Sequence, residues 1–288
     1  MGKIFDVIVV GLGAMGSAVA YHLARRKYRV LGLDRFCPPH ALGSSHGQSR
    51  IIREAYFEDP VYVPLVRRAY ELWRELEGGT GRRLLRQTGG LMIGPADGVL
   101  VAGARRSAET HGLAHEVMAA AEVRRRFPAL RVPDEMTAVW EPRAGVLAPE
   151  LGIWAHLDLA RQFGAALQWE ETVLSWNTSE NDVRVVTNQG EYEAGRLILS
   201  AGPWIVTLAR DLAAEFRVER QVQFWFEPNG TPSFAPEVCP VHLWEHAPNR
   251  FFYGFPDLGA GVKVAGHHEG ADTTVEDVNR SVSPEEVA

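Results

Sequence analysis

Two short segments of this chain carry side chains suited to charged chemistry. In His46-Gly47-Gln48-Ser49-Arg50-Ile51-Ile52-Arg53, two arginines stand three residues apart around an apolar pair. A guanidinium is a planar, permanently charged fork that matches a carboxylate. In a helical turn the two would share a face, and in a strand they would diverge; taken alone, such a pair also reads as a solvated surface feature. In Gly261-Val262-Lys263-Val264-Ala265-Gly266-His267, strand alternation sends the two valines to one face and Lys263, Ala265 and His267 to the other. A lysine buried there needs a partner, and its small neighbours leave room for a flat ligand. The plainer reading is an edge-strand lysine that discourages pairing with other chains.

A third segment binds rather than reacts. Gly11-Leu12-Gly13-Ala14-Met15-Gly16 has the spacing G-x-G-x-x-G. The hexamer means little alone, but here it follows an apolar strand, opens a helical pattern, and precedes an acidic residue, Asp34, that ends the next strand. Gly11 makes the tight turn, Gly13 lets a pyrophosphate approach the backbone, and Gly16 lets helix and strand pack closely. The helix start supplies unpaired N–H groups for phosphate, and Asp34 would accept from ribose hydroxyls. This segment does not choose between NAD and FAD, and Arg35 beside Asp34 even hints at a 2′-phosphate.

The elements that must position these residues follow from periodicity. Val7–Val10 and Val30–Leu33 read as buried parallel strands, with a helix over Ala14–Lys27 between them. A turn-rich stretch runs from Pro38 through Gly47. Helices are predicted over Val61–Glu77, stopped by Gly78-Gly79, over Val99–His111 and near Leu151–Phe163. Strands are predicted at Gly90–Gly94 and Thr137–Glu141, and a hairpin over Val183–Thr187 and Tyr192–Ser200. Val222–Glu227, Val241–Glu245, Phe251–Phe255 and Gly261–Gly266 suggest an antiparallel sheet. The order is α/β first, then mixed, then mostly β.

Composition narrows the function classes. Hydrophobic residues make up 46% and charged residues 23% of 288, an ordinary globular balance. The net charge of −6 gives no basic footprint for nucleic acid. The two cysteines, Cys37 and Cys239, fit neither a disulfide framework nor a metal-site spacing, which points to a reducing cytoplasm. No stretch reaches the length of a membrane-spanning helix.

Taken together, these segments make the chain resemble the monomeric sarcosine oxidase and N-methyltryptophan oxidase family of flavin amine oxidases. The likeness rests on Phe5 to Gly11, Asp34 with Pro38-Pro39-His40, Gly43 to Arg53, Glu141-Pro142 with Gly145-Val146-Leu147, Ser200-Ala201-Gly202-Pro203-Trp204, and Tyr253-Gly254-Phe255-Pro256 with Lys263 and His267. It runs in family order from residue 5 to about 283. The resemblance implies FAD, a small-molecule amine substrate and O2. It implies Gly11, Gly13, Met15, Gly16, Asp34, Arg35, Ser44 and His46 as cofactor contacts, joined by Arg50 beside the flavin ring, Val173 on the adenine side, and Ala201, Gly202 and Trp204. It further implies Arg53 on the substrate carboxylate, Tyr253 and His267 shaping the pocket, and Lys263 promoting reaction with oxygen. No metal is expected. An NAD-dependent enzyme on a similar start is the third alternative, disfavoured because the resemblance extends along the chain.

The same resemblance sets expectations for organisation. The fold class is α/β with two interleaved domains: a Rossmann-like FAD-binding domain from 1–85 and 142–215, and a substrate domain on a large, mostly antiparallel sheet from 86–141 and 216–288. Family members continue for roughly another hundred residues, a length comparable with a small domain. The expectation is therefore a chain truncated at its C-terminal end, lacking the cysteine that tethers the flavin, so that FAD is held noncovalently. The alternative is a catalytically inactive FAD-binding fragment. Neither the amine nor the oligomeric state is readable.

Overall fold

The structure is a computed structural model and describes residues 5–211 and 216–287. The chain divides into two compact units, each assembled from three segments: 1–48, 75–84 and 148–218 form the first, and 49–74, 85–147 and 219–288 the second. These boundaries differ from the domain boundaries expected from sequence. Residues 49–74 and 142–147, assigned from sequence to the first domain, belong to the second unit. The cause is a three-stranded antiparallel sheet in which Gly145–Leu147 pairs with both Arg50–Ile52 and Leu85–Gln87. Strands of three residues are too short to show a period-2 signal.

In the first unit a six-stranded sheet runs in the order Val173–Thr178, Val183–Thr187, Glu191–Leu199, Phe5–Val10, Val30–Leu33, Ala166–Gln168. The last four strands are parallel to one another, and the first three form an antiparallel meander. Its core joins Ile8, Val10, Leu31 and Leu33 to Val173, Val183 and Val185. The helix Ala14–Arg25 buries Gly16, Ser17, Ala20, Tyr21 and Ala24, an i, i+4 stripe of small residues and one ring that lets the Pro149–Gln162 helix approach closely. Of its other apolar residues, Met15 is exposed, and Ala18, Val19 and Leu23 are only half-buried. This helix stops two residues early because Lys27 turns to φ +69°, the left-handed region that favours glycine.

In the second unit a seven-stranded sheet runs Phe224–Phe226, Val262–His267, Arg250–Asp257, Val241–Ala247, Gly90–Gly94, Thr137–Glu141, Glu116–Ala119. All its pairings are antiparallel except Val241–Ala247 with Gly90–Gly94. The Val99–His111 helix covers one face, sealing Met92, Leu100, Ala104, Val139 and Leu243. Its N-terminus is fixed by a buried carboxylate, Glu245, which accepts from the Leu100 amide at 2.9 Å. The opposite face packs Leu91, Ile93, Trp140 and Trp244 against Met118, Val123 and Phe127. The helix predicted over Val61–Glu77 spans Val63–Thr80 instead. It starts after a short turn in which Asp59 accepts from the Val61 amide at 2.8 Å. It passes through Gly78-Gly79 and ends at Gly81, whose φ is +66°.

Candidate active site

The strand Phe5–Val10 delivers the chain into the glycine turn of the first unit. Gly11 sits at φ +87°, and a Cβ there would lie 2.5 Å from the Ser200 carbonyl oxygen. A Cβ on Gly16 would lie 1.8 Å from the Gly11 carbonyl oxygen. Both positions are closed to any side chain. Gly13 is different: its missing side chain leaves an open approach, with only Ser45 Oγ at 3.1 Å. The helix that begins at Ala14 has no side-chain cap from Gly13 and no acidic residue in its first turn. Ser45 Oγ accepts from the Ala14 amide at 3.1 Å. A helix N-terminus of this kind, entered through glycine, can hold an anion on its N–H groups.

Asp34 is buried at the end of its strand. It accepts from the Leu12 amide at 2.7 Å and the Phe36 amide at 2.9 Å, with His40 Nε2 at 3.7 Å. The carboxylate thus ties the glycine turn to the segment after the second strand, and an ionised carboxylate has lone pairs to spare for a hydroxyl. Arg35 is exposed, its guanidinium over the Phe36 ring at 5.5 Å. Trp204, in the short turn Gly202–Trp204, packs on Phe36 with ring centroids 5.5 Å apart, and Ala201 backs onto Gly11. Ser44 and His46 are exposed, with His46 Nδ1 2.6 Å from the Gly43 carbonyl oxygen. Glu150 Oε1 accepts from both Gly47 and Gln48 amides, at 2.7 and 2.9 Å. Val173 stands apart, its side chain in the core of the sheet, so only its backbone is available to a ligand. Ser45 and Glu150 were not anticipated; they accept from backbone amides 31 or more residues away, which no local pattern encodes.

The second unit holds a cavity of about 340 Å³ whose wall includes Arg50, Arg53, Tyr56, Glu58, Tyr253 and His267. All but Tyr56 and Glu58 were candidates from sequence. Arg50 begins a strand and Arg53 follows its end, yet both reach this wall. Tyr253 pairs in register with Ala265, and Phe251 with His267, so Lys263, Ala265, His267 and Tyr253 share one face of the sheet. Lys263 is only 2% exposed and donates to both the carbonyl and the hydroxyl oxygen of Ser49 at 3.2 Å. Its ammonium also lies 4.9 Å from the Phe255 ring and 5.4 Å from Trp225. The partner that burial demanded is thus Ser49, the residue preceding Arg50.

Arg53 is 9% exposed. Its Nη2 donates to both oxygens of Glu58 at 2.8 Å, and its guanidinium lies 4.4 Å from Tyr56 and 5.1 Å from Phe57. Its Nε is buried and has no hydrogen-bond partner among the described residues. Arg50 donates to the Ser49 carbonyl at 2.8 Å. Burial lowers the His267 imidazole from its ordinary value, and the charges of His268 and Arg53 add to that against Glu58 and Glu219. Burial raises the Tyr253 phenol, with the Arg50 charge opposing. The site therefore offers two fixed cations and a buried lysine beside a neutral imidazole and a neutral phenol. That set suits an anionic ligand whose reacting atoms are held away from water.

Comparison with known proteins shows the family. The profile of the FAD dependent oxidoreductase (DAO) family matches residues 6–288. The chain belongs to that family. A monomeric sarcosine oxidase from Streptomyces avermitilis is 46% identical over 291 residues, covering 100% of this chain and 76% of that protein. An N-methyl-L-tryptophan oxidase from Salmonella arizonae is 36% identical, covering 92% of this chain and 71% of that protein. Among solved structures, the open form of NikD, an unusual amino acid oxidase essential for nikkomycin biosynthesis, superposes with a TM-score of 0.79 at 24% identity, covering 99% of this chain and 75% of that one. Glycine oxidase from Bacillus cereus gives a TM-score of 0.74 at 21% identity, covering 98% and 75%. These two show the fold. As a DAO family member the chain is an FAD-dependent oxidoreductase. Among its described residues no helix is long and apolar enough to cross a membrane, and no acidic, histidine or cysteine cluster could hold a metal ion. Of the two cysteines, Cys37 is exposed, and burial pushes the Cys239 thiol up to about 12.

Proposed function

We propose that this protein oxidises the C–N bond of a secondary, N-methyl amino acid such as sarcosine. O2 is the acceptor, and the products are an aldehyde, the demethylated amino acid and hydrogen peroxide. The observation that carries the reading is Arg53: a buried guanidinium on a cavity wall, with one donor still unpaired.

The glycine turn, the helix start and Asp34 fit FAD by geometry: no side chain could stand at Gly11 or Gly16, and Gly13 leaves the approach open. In this reading Gly11, Gly13, Met15 and Gly16 hold the pyrophosphate, Asp34 and Arg35 the adenosine ribose, and Val173 the adenine side. Ser44, His46, Ala201, Gly202 and Trp204 border the rest of the cofactor. When bound, the flavin supplies a two-electron acceptor for the amine and returns those electrons to oxygen.

The protein's own part is positioning and electrostatics. Arg53 fixes the carboxylate end, so that the N-methyl carbon is held in one orientation. Tyr253 and His267, both kept neutral, close the pocket without adding a competing charge. A neutral His267 can accept the proton that the substrate nitrogen gives up to react as the uncharged amine. Two electrons and a proton leave the methyl C–H, and loss of the nitrogen's proton gives an imine. Water then adds and splits it into aldehyde and amine. Arg50 and Lys263 offset the negative charge that builds when oxygen is reduced. We place the enzyme in the cytoplasm, in line with its cysteine usage.

The test is product balance. Full-length chain loaded with FAD and given sarcosine in air should consume oxygen and release formaldehyde, glycine and peroxide in equal amounts. Oxygen uptake without formaldehyde would rule out N-methyl oxidation.

A further inference from the structure

Glu141 lies outside the cavity wall, yet its carboxylate reaches the backbone that carries Arg53. It closes the strand Thr137–Glu141 and is 1% exposed. Oε1 accepts from the Glu54 amide at 2.7 Å and Oε2 from the Ala55 amide at 2.8 Å. These are the two residues that directly follow Arg53. On the other side, Arg50–Ile52 is locked in antiparallel register with Gly145–Leu147. Arg53 is therefore the single residue between a strand pairing and a carboxylate clamp. The Glu54 side chain pairs with Arg143, its Oε1 3.3 Å from that guanidinium.

We propose that Glu141 is a positioning residue for carboxylate binding: by clamping the Glu54 and Ala55 amides it sets the backbone direction that holds the Arg53 guanidinium in the cavity wall. This rests on the reading that Arg53 receives the substrate carboxylate.

The chemistry favours this over a neutral spacer. Each carboxylate oxygen takes one amide, an arrangement that a glutamine cannot reproduce, because its NH2 would face an N–H donor. Burial pushes the Glu141 carboxyl up, the two amides pull it down, Glu54 raises it and Arg53 lowers it. Arg53 and Glu141 thus sense each other's charge as well as sharing a backbone. A chain direction changed by a few degrees at residue 54 is amplified along a side chain as long as arginine's. Errors of about 1 Å in positioning can cost about a hundredfold in rate.

The experiment is a double-mutant cycle on the full-length, FAD-loaded protein. The probe is acetate, which carries the carboxylate and no oxidisable amine, and its affinity is read by ligand-observed NMR. The expected result is that Glu141→Gln weakens acetate binding about tenfold and Arg53→Met weakens it at least as much, while adding Glu141→Gln to Arg53→Met changes nothing further. Equal weakening by Glu141→Gln in both backgrounds would overturn the positioning role, since that is what a general structural loss produces. Unchanged affinity in a folded Glu141→Gln protein would overturn it too. Unchanged affinity in Arg53→Met would overturn the carboxylate reading itself, and with it this proposal. Should Glu141→Gln fail to fold, Glu141→Asp, which keeps both acceptors on a shorter stem, is expected to weaken acetate in the Arg53 background alone; weakening in both would again overturn the role.

Discussion

Glu58 holds Arg53 through a single nitrogen: both of its carboxylate oxygens lie 2.8 Å from Nη2, and Nε is left unpaired. Arg53 is buried while Glu58 is 39% exposed on its side chain. The glutamate is therefore the partner free to move, and it stands as an internal competitor for any carboxylate that reaches the guanidinium.

Replacing Glu58 by glutamine removes that competitor and leaves the arginine's charge uncompensated. The account predicts that Glu58→Gln binds acetate several-fold more tightly, measured by NMR titration. Thermal denaturation should show a midpoint lowered by a few degrees, since the pair is only partly shielded from water. Weaker binding would contradict the competition.

Gly16→Ala tests the nucleotide turn. The added methyl would meet the Gly11 carbonyl oxygen at 1.8 Å, a backbone clash that no rotamer relieves. The purified variant should retain less than a tenth of the flavin per chain, read from visible absorbance against protein. Gly78→Ala, where a Cβ meets nothing within 4 Å, should keep its flavin. Equal retention in both variants would refute the role of the turn.

Two buried histidines set the acid limit of stability, one in each unit. Burial pushes His156 down to about 4, helped by His22, and burial alone pushes His242 down to about 4. Trp244 Nε1 donates to His242 Nδ1 at 2.8 Å, which fixes the neutral ring with its proton on Nε2. With folded values below the unfolded value near 6.5, the unfolded state binds more protons between the two. The stabilisation is therefore complete above about pH 6.5 and is lost as pH falls towards 4, by at most about 3 kcal/mol per group. Urea midpoints measured from pH 8 to pH 4.5 should fall through this window, and His156→Gln should flatten the fall. A midpoint that does not change between pH 7 and pH 5 would contradict it.

Lys263 is buried on the cavity face and anchored to Ser49. Lys263→Met keeps the length of the stem and removes the charge. Stopped-flow absorbance should then show reoxidation by oxygen slowed at least tenfold more than reduction by the amine. Equal slowing of the two halves would deny it a separate role in the reaction with oxygen.

What the sequence made legible follows the range of the signal. The glycine turn, Asp34 and the first βαβ unit are local patterns, and each sits where spacing put it. The face shared by Lys263 and His267 came directly from strand alternation. Arg50 and Arg53 were visible as a pair, but their convergence on one cavity depends on three-residue strands that carry no periodicity. Glu141 and Ser49 were missed for a related reason. Glu141 acts on amides 86 and 87 positions away, and Ser49 meets Lys263 across 214. Pairings at such separations belong to the tertiary fold. Lys27 shows a smaller failure: its left-handed conformation follows a helix that ends at Arg25, two residues short of the expected end.

The most direct measurement of the central claim is the visible spectrum of the FAD-loaded protein titrated with sarcosine in the absence of oxygen. The account predicts flavin absorbance that bleaches on adding the amine and returns when air is admitted. Flavin absorbance that persists through saturating sarcosine and N-methyltryptophan, or a protein that stays colourless when FAD is supplied, would contradict it.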